Sequence, residues 1–246
     1  MSSCGSGSSS SSSSTNITQE QANSMAEGLR DLPQSFAKVD GFNPSPSFYA
    51  SYSIRNNWIS DSASTNYLGI EISVTMNMRA EKINGDYFTE NELSQIESDN
   101  TDFDISDYYS LGISAVEFYG SLSESSGYTS SVFTFGSGSE SPLSYAFFEN
   151  KDHTIDGSTS VNLSIPQSEE RNGEFVVVSY LTLSYSLIFN QLYYDFLSTN
   201  NYKIIAGTIS GLIASDSLDL SVSYSLTFTP TLIYGTVGNR SVSISN

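Results

Sequence analysis

The sequence predicts a mainly β protein: an antiparallel β-sandwich or barrel-like domain with a short N-terminal helix, carried behind a disordered Ser-rich tether. Three observations predict it. Apolar and polar residues alternate with period two over long stretches, and glycine-bearing turns separate those stretches. The opening residues, up to Ser14, are almost all Ser and Gly. Such residues bury too little apolar surface to offset the entropy of ordering them.

The chain has 246 residues. The composition divides it into a tether over 1–16, a short helical segment over 17–40 that packs on the β domain, and the β domain over 41–246. The last of these is long enough for one sandwich or barrel. The 16 Tyr and 14 Phe supply the bulk of a core.

In the helical segment, Thr18 and Gln21 form the pattern of a capping box. Ala22, Met25, Ala26 and Leu29 follow at helical spacing, predicting a helix over about 18–31 that Pro33 ends. A few further turns fit Gln34 to Val39, and Pro44 and Pro46 mark an extended entry to the β domain.

Phe48, Ala50, Tyr52 and Ile54 then share one face of an extended segment. Leu68, Ile70, Ile72, Val74, Met76 and Met78 alternate with polar residues, as in a half-buried antiparallel strand, and Asn84-Gly85 signals a turn after it. From Glu90 to Asp107 the sequence becomes acidic, with room for one or two helical turns. Strands resume near 112–122, 128–135, 144–148 and 160–165. Leu181 to Leu187 alternate cleanly, and the alternation weakens between Ile188 and Leu197, where a helical turn fits. Ile204 to Ile213 reads as a strand with bends or bulges at Gly207 and Gly211. Leu218 to Phe228 is the longest clean alternation, and Val242 and Ile244 suggest a last short strand.

The charge balance excludes several functions. Nine Lys and Arg stand against 27 Asp and Glu, a net charge of −18. Nucleic acid and anionic lipid headgroups would be repelled. Such acidity suits divalent cations, basic partners, or solubility alone. Cys4 is the only cysteine, so neither an intrachain disulfide nor a multi-cysteine zinc site can form. His153 is the only histidine, so two- and three-histidine metal motifs are also excluded. Its setting, Glu149-Asn150-Lys151-Asp152-His153-Thr154, predicts a polar turn histidine in solvent. No nucleophile elbow of the Gly-x-Ser-x-Gly kind occurs. The expectation is therefore a protein that is not an enzyme.

Two sets of candidate site residues remain. Asp99, Asp102, Asp104 and Asp107 crowd the acidic excursion and offer several of the oxygens that a calcium ion needs. The spacing of a helix-loop-helix calcium loop is missing, and a solvated acidic loop is the alternative. Trp58, Tyr108 and Tyr109 are candidates for a flat aromatic binding surface that stacks on sugar rings, with ordinary strand packing as the alternative. A carboxylate-dependent, carbohydrate-active hydrolase would draw on Glu71, Glu117 and Glu174. An outer-membrane β-barrel is a further alternative, because Ser and Thr alternate with apolar residues.

The N-terminal run Ser2-Ser3-Cys4-Gly5-Ser6-Gly7, followed by serines from Ser8 to Ser14, resembles the start of a mature bacterial lipoprotein. Ser2 and Ser3 match the small residues that precede the lipid-bearing cysteine in that family, while Met1 stands where the family usually has Leu. The resemblance implies acyl chains on Cys4. It also implies delivery to the outer membrane, since Gly5 replaces the Asp that usually signals inner-membrane retention. A multiply acylated cysteine holds a membrane stably, as one chain does not. The expected partners are the membrane, through that anchor, and an envelope protein or glycan. The expected function is a non-enzymatic binding or structural module of the cell envelope.

Overall fold

The structure is a computed structural model that describes residues 16–36, 53–55, 57–67, 69–99, 105–126, 129–171, 174–198 and 201–246. It is mainly β, as the alternation predicts. Cys4, the tether as far as Thr15, Pro44, Pro46, Phe48, Ala50, Tyr52 and Leu68 lie outside the described residues.

Helix α1 (Gln19–Phe36) starts at the expected box. Thr18 N–H donates to Gln21 Oε1 at 2.8 Å, and Gln21 N–H donates to Thr18 Oγ1 at 3.2 Å, so two N–H groups at the helix start are satisfied reciprocally. Ala22, Ala26 and Leu29 are buried against the sheet. The helix runs past Pro33 instead of ending there. A proline removes one intrahelical hydrogen bond, and the docked apolar face of α1 outweighs that local loss.

The strands are β1 (Ser53–Arg55), β2 (Trp58–Tyr67), β3 (Ile70–Lys82), β4 (Ile113–Ser125), β5 (Ser130–Phe135), β6 (Leu143–Phe147), β7 (His153–Arg171), β8 (Glu174–Ser198), β9 (Asn201–Ser215), β10 (Leu220–Phe228), β11 (Leu232–Val237) and β12 (Arg240–Ser245). They form one antiparallel sheet whose order follows the chain, with one exception. Strands β5 and β6 share a single slot between β4 and β7. β6 fills the end at Ala115–Phe118 and His153–Asp156, and β5 fills the end at Gly120–Ser125 and Thr159–Ser164.

Between β3 and β4 the acidic excursion forms α2 (Glu90–Asp99), longer than the one or two turns expected, and a 3-10 turn at Ile105–Asp107. A second capping box starts α2. Thr89 N–H donates to Glu92 Oε2 at 2.8 Å, and Glu92 also receives Lys82 Nζ at 2.6 Å. These bonds hold the Glu92 carboxyl down at about 2.

The two sheet faces differ in chemistry. The inner face carries Met78, Phe118, Tyr145, Ile155, Phe189, Ile209 and Leu226 onto one core that also takes in α1. The outer face is hydroxyl-rich. One row across neighbouring strands reads Ser64, Ser73, Ser123, Val132, Asn162, Ser184, Ala214 and Ser221. At ~2 kcal/mol for each large side chain fully withdrawn from water, the inner face is the main source of stability.

The helical turn expected after Ile188 is not there: β8 is a strand to Ser198. Its alternation breaks because the register shifts between Asn190 and Tyr193, where Gln191 takes a φ of +47°. That bulge moves the buried positions from Leu187 and Phe189 to Leu192 and Tyr194, so the buried set changes from odd to even numbers. Gly207, at φ +104°, faces the bulge on β9, and a Cβ there would collide with the Gln191 carbonyl. Gly207 thus marks a bulge as expected. Gly211 does not: it pairs in register with Leu187 and Tyr224. Strands β2 and β11 were not legible from alternation. After Ile59, β2 is nearly all polar, and β11 is short and interrupted by Gly235.

Candidate functional site

Among the described residues, the outer face carries a concavity. Ser130, Asn162, Ser164, Thr182, Ser184 and Asp216 line a groove of about 300 Å³ across β5, β7, β8 and the turn after β9. Register explains their convergence. Ser130, Ser164 and Thr182 form one cross-strand row, and Asn162 and Ser184 belong to the next. Ser184 Oγ donates to Asn162 Oδ1 at 2.8 Å, which fixes both side chains. Val132, Leu163 and Ala214 complete the lining with apolar surface. Hydroxyl and amide groups beside small apolar patches suit a polar, uncharged ligand such as a polyol or a peptide backbone. Asp216 is the one titratable side chain in this lining. Outward-facing Ser and Thr were legible from the alternation, but their convergence was not, because it depends on register across four elements.

A second polar cluster lies under the β6–β7 turn. Asp152 is 5% exposed. Its carboxylate accepts hydrogen bonds from Tyr193 Oη at 2.6 Å, Asn150 Nδ2 at 2.5 Å and Phe196 N–H at 2.9 Å. Those bonds staple the turn to the end of β8, and the bond to Asp152 raises the Tyr193 hydroxyl above its ordinary value. Asp152→Ala is expected to cost about 3 kcal/mol, because a buried anion and three donors lose one another. Urea unfolding checks this: the midpoint should fall with the m-value unchanged. Tyr193→Phe should cost about 1 kcal/mol, since only one of the three bonds goes.

His153 is not the solvent-exposed turn residue that its polar setting predicts. It is 1% exposed and opens β7 on the inner face. Its ring stacks on Tyr194, with centroids 4.6 Å apart and planes 7° apart, and meets Tyr202 edge-on at 4.7 Å. Neither ring nitrogen has a hydrogen-bond partner among the described residues. Burial lowers His153 to about 4, against the smaller opposing pull of the Asp152 charge. The missed signal was the alternation His153-x-Ile155, which continues the inner-face series of Tyr145 and Phe147.

The residues singled out for calcium are partly outside the described chain. Asp102 and Asp104 are not described, Asp99 accepts from Gln95 Nε2 at 2.8 Å, and Asp107 sits 3.6 Å from Lys151 Nζ. No cluster of three His, Cys, Asp or Glu side chains suited to a metal occurs among the described residues.

The aromatic candidates are packed in different places. Trp58 is 6% exposed, lies edge-on to Tyr119 at 4.9 Å, and has the Arg79 guanidinium 4.5 Å from its ring centre. Tyr108 meets Phe147 edge-on at 4.8 Å, and burial raises its hydroxyl to about 12. Tyr109 packs half-buried against the core.

Among the carboxylates considered for hydrolysis, Glu117 is ion-paired with Arg79, its register partner on β3. Glu71 lies eight positions along β3 from Arg79, about 26 Å at the rise of a strand. Convergent glycosidase carboxylates stand within about 10 Å.

Comparisons with protein-family models, with curated proteins and with solved structures each return no match to this chain.

Proposed function

We propose that this protein is a lipid-anchored, non-enzymatic binding module of the bacterial outer envelope, held to the outer membrane by acylated Cys4. Its hydroxyl-lined groove takes a polar, uncharged ligand. The observation that carries the binding role is the groove itself. Its side chains are set by strand register on a rigid sheet, with hydrogen-bonding groups fixed in place before any ligand arrives. The anchor rests on the residue order Cys4-Gly5 and the serine run behind it.

Two alternatives fit less well. A membrane barrel needs an apolar outer band and a polar lumen, and this sheet has the reverse polarity over most of its area. A two-carboxylate hydrolase needs a convergent pair, and Glu71 and Glu117 stand far apart.

The anchor is tested by feeding labelled palmitate to cells that make the full precursor. Label should enter the protein and should vanish in Cys4→Ala, with the protein moving from the membrane fraction to the soluble one. Equal labelling of both forms overturns the anchor. The groove is tested separately by Asn162→Ala with Thr182→Ala, which should weaken retention on an array of neutral envelope glycans at least tenfold. Unchanged retention rejects the groove.

A further inference from the structure

We infer that the outer face binds a neutral glycan chain laid along β8, with one end in the groove and the other stacked on the rings of Phe148 and Tyr193. This rests on the groove reading, to which it adds the ligand's class and direction, and it does not depend on the anchor.

The far end of the site is an aromatic platform. Phe148 follows β6 at the start of the turn to β7, and Tyr193 stands where the β8 bulge ends. Their rings stack, with centroids 5.8 Å apart and planes 19° apart, and Phe148 stays 38% exposed. The platform is fixed before any ligand arrives. Tyr193 Oη donates to the buried Asp152 at 2.6 Å, and Asp152 is itself tied to the Phe196 N–H at 2.9 Å. Flat rings held in this way offer an apolar surface to the C–H face of a sugar.

A track of uncharged side chains joins this platform to the groove. From Ser184 onward, β8 turns Ser186, Ile188 and Asn190 outward before it reaches Tyr193. Ile188 is 51% exposed, and its register partners on β7 and β9 are Ser158 and Ser210. Among the described residues, the first charged side chain beside the track is Asp156, at the bulge. Nine positions separate Ser184 from Tyr193, and one of them is the extra residue of the bulge. The span is therefore about 26 Å at the rise of a strand.

Chemistry selects the occupant. From Ser184 to Phe189 the β8 backbone is already paired on both sides, with β7 and with β9, so an extended peptide finds no main-chain partners there. What the track offers is side-chain hydroxyls and amides beside an exposed isoleucine and stacked rings. A sugar chain carries the matching set, hydroxyl edges and apolar ring faces. An anionic glycan is opposed by the net charge of −18, and a cationic one meets no acid along the track before Asp156. One chain held at both ends makes the second contact intramolecular, which raises affinity with length.

The experiment uses the full 246-residue chain, unlipidated, with two ladders of neutral oligosaccharides, cello- and malto-oligosaccharides, each from the disaccharide upward. In calorimetry the short members of at least one ladder should bind weakly, and affinity should rise at least tenfold once the chain spans about 26 Å. Phe148→Ala should remove that rise, whereas Phe148→Tyr, which keeps a ring, should retain it. Asn162→Ala with Thr182→Ala should weaken every member, because it acts on the groove. Three results would overturn the inference: an affinity indifferent to length, a rise that survives Phe148→Ala, or tighter binding of polygalacturonate or chitosan oligomers. If the groove variant still weakens the short neutral members in those cases, the groove reading stands without the platform. If the groove variant changes nothing, or no member binds at millimolar concentration, both readings fall.

Discussion

Acidifying the solution from pH 7.5 to pH 5 is expected to destabilise this protein by about 2 kcal/mol through His153 alone. Burial among aromatic rings lowers its pKa to about 4 from the ordinary 6.5. The direction follows from proton counting. Between those two values the unfolded chain takes up a proton that the folded chain refuses. The stabilisation from His153 is therefore complete above pH 6.5 and is lost as the pH falls toward 4, by about 3 kcal/mol in all. His153→Phe keeps an aromatic ring against Tyr194 and removes both the titration and the two buried ring nitrogens. Urea unfolding of both proteins at pH 7.5 and pH 5 is the check. The variant should gain about 2 kcal/mol relative to the parent between the two pH values. Parallel stability profiles for the two proteins would mean that His153 takes up its proton freely in the folded state.

Gly211→Ala is expected to cost about 3 to 4 kcal/mol, although Gly211 sits in regular extended backbone. The reason is space. A Cβ at this position would overlap the Ser186 carbonyl oxygen and come within 2.6 Å of the Tyr224 hydroxyl. That hydroxyl donates to the same carbonyl at 2.6 Å, from a side chain only 4% exposed. The methyl group therefore forces strands β8 and β10 apart around β9 and breaks a buried hydrogen bond. Tyr224→Phe alone should cost about 1 to 2 kcal/mol. Since both changes remove the same bond, the double variant should cost less than the sum of the singles. Thermal and urea denaturation of the three variants measure this. A Gly211→Ala protein within about 0.5 kcal/mol of the parent would show that the strands have slack at this crossing.

Where a strand keeps one register and one buried face, its alternation was readable in the sequence. Strand β10 is the clearest case, with Val222, Tyr224, Leu226 and Phe228 all buried. The capping box at Thr18 was readable for a similar reason, since both partners lie within four residues. The equivalent box at Thr89 was hidden in an acidic run that invited a metal reading instead. The central part of β8 was lost to alternation at the bulge, because one extra residue inverts the parity that alternation measures. His153 was misplaced by composition: four polar neighbours precede it, yet only one position separates it from the buried Ile155. The groove was beyond sequence reasoning altogether. It depends on the register between neighbouring strands and on where each of them ends, which alternation within one strand does not reveal.

The docking of α1 ties together segments that lie far apart in the chain. Gln19 Nε2 donates to the Ser241 carbonyl at 2.9 Å, and the Arg240 guanidinium donates to the Ile17 carbonyl at 2.9 Å. These partners are over 220 residues apart, whereas most of the sheet is built from hairpins between successive strands. The hairpins can form in order as the chain emerges, each closing a short loop. The first helix made has no finished surface to rest on until the last hairpin is complete. During synthesis, its apolar stripe of Ala22, Ala26 and Leu29 is therefore expected to stay uncovered until β11 and β12, against which α1 packs, have paired.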